Sequence, residues 1–201
     1  MSLIASASSG AGFGPIEEGT HLGVCSMMAD LGVQENAAYK TRAQKLVIGW
    51  EIPGETIELD DGPHPRTVSK IYTNSLGENA NLRQDLAAWR GRDFTPEELA
   101  AFDLRRIVGT SCLINIVHQE RGGKTYANIQ SIMALPRGMA RGQLQEEPVI
   151  FDLDTDPLEN VAKLPRWVQD MIARSETYQA RLAAPPKMED LAGSDEEELP
   201  F

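Results

Sequence analysis

Cysteine and histidine are nearly missing from this chain, two and three residues respectively in 201, and their scarcity removes whole classes of chemistry. Cys25 and Cys112 lie far apart in apolar or small-residue runs, so they read as buried thiols of a reducing compartment rather than as a disulfide framework. No CxxC, Cys/His cluster or HExxH occurs, so no metal and no other cofactor is expected. No run approaches the roughly 20 apolar residues of a membrane span, and no basic segment leads into an apolar one near the start. The chain therefore reads as cytoplasmic, with no membrane partner.

Catalytic signatures are equally thin. Gly122, Gly123, Lys124 and Thr125 end like a Walker motif, but His118 holds the place of its first glycine and the segment joins two strand-like runs. Adjacent acids (Glu17 with Glu18, Asp60 with Asp61, Glu97 with Glu98) read as solvated faces before they read as a nuclease site. No spacing joins a nucleophile to a base. The chain is not expected to be an enzyme, and a metal-dependent nuclease is the weakest of three readings.

Positive charge is scarce overall, since the formal net charge is −11, yet it is unevenly spread. Residues 1–37 carry four acids and no Lys or Arg, whereas 38–141 carry fourteen bases against twelve acids. Residues 142–187 carry five bases against eight acids, and 188–201 carry six acids alone. A polyanion-binding surface, if there is one, belongs to the central segment.

What is present is a strand-rich pattern. Residues 1–18, Ser-, Ala- and Gly-rich at the start, read as a flexible arm. Strands are expected over 21–31, 44–52 and 67–73, with a loop at 53–66. Leu82, Leu86 and Trp89 then recur at helical spacing, and Thr95, Pro96 and Glu98 form a capping box that opens a second short helix. Two more strands, 110–118 and 125–134, flank a Gly-bearing hairpin. Three strands, helix, two strands is the order of an OB-fold-like five-stranded barrel, so the fold class is mainly β with short helices. The barrel domain spans 19–145; a C-terminal extension, 146–182, carries one amphipathic helix, and 183–201 form a disordered acidic tail.

The tail ends in Asp195, Glu196, Glu197, Glu198, Leu199, Pro200 and Phe201. Its like charges keep it extended, and Phe201 offers a ring beside a free carboxylate, a pair that fits an apolar pocket rimmed by Arg or Lys. Position by position it resembles the C-terminal tip of bacterial single-stranded DNA-binding proteins. That resemblance implies recruitment of replication and repair proteins through these seven residues. A second stretch, running from Tyr72 through Leu82, Arg83, Asp85 and Leu86 to Trp89, Arg90, Arg92 and Phe94, resembles a segment of bacteriophage proteins presumed to act in replication or recombination. It implies a phage-encoded protein in a bacterial host's cytoplasm.

Single-strand binders need a basic groove and aromatic faces for stacking. Lys70 with Tyr72 in the third strand, and Tyr126 with Asn128 and Gln130 in the fifth, supply two polar faces, although each Tyr also fits a barrel edge with its hydroxyl in water. Lys45 opposes Leu46, Ile48 and Trp50 in the second strand, which sends Trp50 to the core and leaves Lys45 as a contact. Arg121 and Lys124 sit in the hairpin, and Arg90 and Arg92 flank the inter-strand helices, either on the DNA path or merely solvated. The expected function is sequence-independent binding of single-stranded DNA. An adaptor that uses its tail to capture host enzymes is the alternative.

Overall fold

The structure, a computed structural model, describes residues 14–36, 40–59 and 62–184. Five antiparallel strands follow one another around a strongly curled sheet in the order β3-β2-β1-β4-β5. They are β1 (Gly19–Asn36), β2 (Thr41–Leu59), β3 (Gly62–Thr73), β4 (Ser111–Arg121) and β5 (Lys124–Met133). Successive antiparallel pairing leaves β3 and β5 running the same way, and the curl brings these edge strands within 8 Å between Cα atoms. Among the described residues no ladder joins them. The result is an OB-like half-barrel whose open seam is closed by a helix rather than by hydrogen bonds.

The curl has local causes. Two bulges interrupt the β1–β2 register, between Cys25 and Met27 and between Asp30 and Gly32, and each adds twist. Gly23 allows β1 to approach the barrel wall closely, because a Cβ there would lie 2.5 Å from Ile114 Cδ1. Alternation then directs Leu46, Ile48, Trp50 and Ile52 of β2 and Cys112, Ile114 and Ile116 of β4 into one core. Trp50 is 0 % exposed, so the expectation that it fills the core holds. Helix α1 (Asn81–Arg90) seals the seam by burying Leu82, Leu86 and Trp89. It also accepts the Ala134 amide on the Ala88 carbonyl (3.0 Å), and the Trp89 indole N–H reaches the Ser111 carbonyl (3.0 Å). Helix α2 (Pro96–Ala100) starts at the capping box of Thr95 and Glu98, as its sequence predicts.

Three expectations are corrected. Residues 53–66 are not a loop, because β2 and β3 stay paired from Thr56 with Pro65 to Leu59 with Gly62, and only residues 60 and 61 are left between them. Order begins before β1: Ile16 is 3 % exposed in the core and its carbonyl meets His118 Nε2 at 2.8 Å. The single C-terminal helix is two, α3 (Arg166–Ala173) and α4 (Glu176–Ala183). Ser175 breaks it, since its hydroxyl accepts from the Tyr178 amide as an N-cap and donates to the Ile172 carbonyl.

The extension packs on the outside of the barrel. Strand β6 (Val149–Phe151) pairs in parallel with Met27, Met28 and Ala29 of β1. Phe151, Leu153, Leu164, Val168 and Ile172 then cover Ala29, Leu31 and Val47, forming a second core on the outer face of β1 and β2. Gly32, with φ +69°, lets β1 pass beneath Ser175, whose Oγ would be 2.7 Å from a Cβ there. Among the described residues no helix is long and apolar enough to cross a membrane.

Candidate nucleic-acid interface

The extension decides which sheet surface stays open. With the outer face of β1 and β2 covered and the interior filled, the outward faces of β4 and β5 and of β3 are left, and the wider, two-stranded one is that of β4 and β5. The pairs Leu113 with Met133, Asn115 with Ser131, Val117 with Asn128, Gln119 with Tyr126 and Arg121 with Lys124 lie on it. Cross-strand amides tie the face together: Asn115 Nδ2 donates to Gln130 Oε1 (2.7 Å) and Asn128 Nδ2 to Gln119 Oε1 (3.2 Å). Among the described residues no carboxylate belongs to this face, although the chain holds 30 Asp and Glu. Arg121 and Lys124 are exposed and make no ion pair among the described residues, and half-buried Tyr126 stands between them and the amides. Tyr126, Asn128 and Gln130 thus face away from the core side of β5, which carries Ala127 and Ile129, as their alternation predicts.

Lys70 and Tyr72 do share a face, but it is the inner one. Tyr72 pairs with Leu46 and Lys70 with Ile48, two core residues, so the strand's phase is opposite to the one its polarity suggests. Asp85 of α1 makes this possible. Its Oδ2 accepts from Lys70 Nζ at 2.7 Å and from the Tyr72 hydroxyl at 2.8 Å. Burial first, then the Asp85 charge, push the Tyr72 pKa up and keep that hydroxyl a donor. At 3 % exposure the Tyr72 ring is a core ring with no face for a base, and its outward neighbour Ile71 is 43 % exposed.

Arg90 and Arg92 are also occupied. The Arg90 guanidinium lies 4.4 Å from the Phe94 ring centroid and 5.1 Å from that of Phe102, and it pairs with Glu98. Arg92 reaches the same carboxylate at 2.7 and 2.9 Å. The Arg92 hydrogen bond, then the Thr95 amide and Arg90, hold the Glu98 carboxyl down to about 2. Two cations are thereby committed to one acid. Trp89 is core, at 8 % exposure. Lys45 stands apart from both groups, half-buried on β2 with Nζ donating to Thr73 Oγ1 at 2.7 Å. The structure thus brings Arg121, Lys124 and Tyr126 together and separates them from Lys45, Lys70, Tyr72, Arg90 and Arg92.

Residues 195–201, the acidic tip, lie outside the described residues, as does the acid pair Asp60 with Asp61. Burial pushes the Cys25 thiol up to about 12, which makes it a poor nucleophile. Carboxylates of Asp30, Asp152 and Asp154 converge within 4.8 Å, a grouping that sequence spacing did not reveal because it joins β1 to the loop after β6. Asp30 accepts from the Gly32 amide (2.8 Å) and from Gln44, and Asp152 accepts from the Asp154 amide (3.0 Å), so local donors already serve this group. Asn115 and Gln119 were also missed, although their alternation with Ile114 and Ile116 marks them as outward. Compared with known proteins, the chain matches no family model and no curated protein.

Proposed function

We propose that this chain binds single-stranded DNA without sequence preference on the outward face of β4 and β5, as a non-catalytic protein of phage replication or recombination. The observation that carries the reading is a cation-bearing face with no acid among the described residues, on a protein of net charge −11. Against the repulsion of a surface that is acidic overall, such a face is one where a phosphate chain gains Coulomb energy. Tyr126 offers a ring for stacking, and Asn115, Gln119, Asn128 and Gln130 offer donors and acceptors that any base or sugar satisfies. The curled five-stranded sheet is a frame compatible with this use. The acidic tip then serves as a tether for replication or repair proteins, with Phe201 as the gripped end.

The test is fluorescence anisotropy of labelled oligo-dT, with a duplex of equal length as competitor. Tryptophan quenching is a poor choice, because Trp50 and Trp89 are buried. Single strands are expected to bind in preference to duplex with an affinity that falls steeply with salt. Equal affinity for both forms counts against the reading. For the tail, deleting Phe201 is expected to leave DNA affinity unchanged while abolishing capture of partner enzymes.

A further inference from the structure

A depression of about 520 Å³ opens where β3 runs into α1, and Tyr126 does not line it. Lys45, Ile71 and Thr73 form its strand side, and Asn79 and Asn81 its helix side. Its size falls within the range of small-ligand sites. Lys45 is the only cation in the lining, and its Nζ donates to the neutral Thr73 hydroxyl, with no carboxylate within 4 Å among the described residues to offset its charge. Ile71 presents an exposed apolar surface beside it. Glu78, the only acid of the lining, acts electrostatically on Arg83. An apolar patch flanked by an unneutralised ammonium and two carboxamides matches the parts of a nucleotide: a base face, a phosphate and polar edges.

Two residues of the depression, Ile71 and Thr73, belong to the outward side of β3. Thr67, Ser69, Ile71 and Thr73 point outward from β3, again without an acid, and β3 lies against β5 across the seam. We infer that this depression is a second contact that holds one nucleotide of the bound strand, an inference that rests on the function proposed above.

The experiment measures anisotropy with dT oligomers of about 5 and about 20 nucleotides, lengths that bracket the usual sites of such folds. It compares the parent with Lys45→Gln, Ile71→Ser and Tyr126→Ala, each first shown to melt like the parent. Lys45→Gln and Ile71→Ser are expected to weaken the long oligomer roughly five- to twentyfold and leave the short one unchanged. Only Lys45→Gln should also lower the salt slope, by about one. A purely structural role would not separate the two variants in this way. If both bind the long oligomer like the parent while Tyr126→Ala weakens it, the depression is not a contact and the β4–β5 reading stands. Equal losses on both lengths overturn the inference too. If Tyr126→Ala is also silent, the two readings fall together.

Discussion

The seam helix and the β4–β5 hairpin carry the same residue types and put them to opposite uses. Around α1, Lys70, Tyr72, Arg90 and Arg92 each meet a carboxylate or stand between rings, with Asp85 and Glu98 as shared acceptors. On the hairpin, Arg121 and Lys124 are exposed with no ion pair among the described residues, and Tyr126 lies on the same face as amides that bond one another. A basic residue beside an aromatic is therefore no evidence of a ligand surface until the nearest carboxylate is known. What separates the two regions is the placement of their acids.

Removing the acid at the seam should give the largest effect. Asp85→Ala leaves Lys70, whose side chain is 24 % exposed, without its ion pair and Tyr72 without an acceptor. The expected cost is about 2–3 kcal/mol of stability, read as a lower urea midpoint, with DNA affinity unchanged. A variant as stable as the parent would mean that the seam pairs are incidental, and the contrast with the hairpin would lose its physical basis.

Next in size is Tyr126→Ala, which removes the proposed stacking ring from the open face. DNA binding should weaken by roughly 1–3 kcal/mol while the melting temperature moves little. Tyr72→Ala should show the reverse pattern, a large loss of stability, because its ring belongs to the core. Matching outcomes for the two tyrosines would erase the distinction between them.

How far the sequence reached is visible in these two tyrosines. Period-two alternation located all five barrel strands and the phase of β5, because Ala127 and Ile129 alternate with polar residues up to the bulge at Gln130. In β3 the same rule pointed the wrong way, since Lys70 and Tyr72 become inward residues only when Asp85, on another element, supplies their partner. Local pattern holds no record of that contact. The break at Ser175 was missed for a similar reason, as the helical pattern from Leu164 to Leu182 continues through a residue that caps the second helix. Coverage of β1 and β2 by the extension depends on long-range packing that no local pattern records.

A smaller effect is expected from the hairpin cations taken singly. Lys124→Gln and Arg121→Gln should each reduce the slope of log affinity against log salt by about one, and Lys70→Gln should leave it unchanged. Titrating affinity between low and moderate salt reads all three. A slope change for Lys70→Gln equal to that for Lys124→Gln would place phosphate at the seam and reverse the assignment of the two regions.

The smallest effect comes from freeing the committed arginines. Glu98 is held down to about 2 against an ordinary value of 4.5. A depressed carboxyl stabilises the fold above its unfolded value, and that contribution is lost as the pH falls from 4.5 through about 2. Glu98→Gln should therefore flatten the acid limb of the stability curve within that window. At neutral pH the same change unpairs Arg92, which is 56 % exposed at the side chain, and adds one available cation beside the seam. If pairing is what keeps Arg92 out of DNA binding, the variant should bind oligo-dT slightly more tightly at low salt, with the gain vanishing as salt screens it. Affinity that stays flat at low salt, with the acid limb flattened as expected, would show that Arg92 lies off the path of the strand whatever its partner.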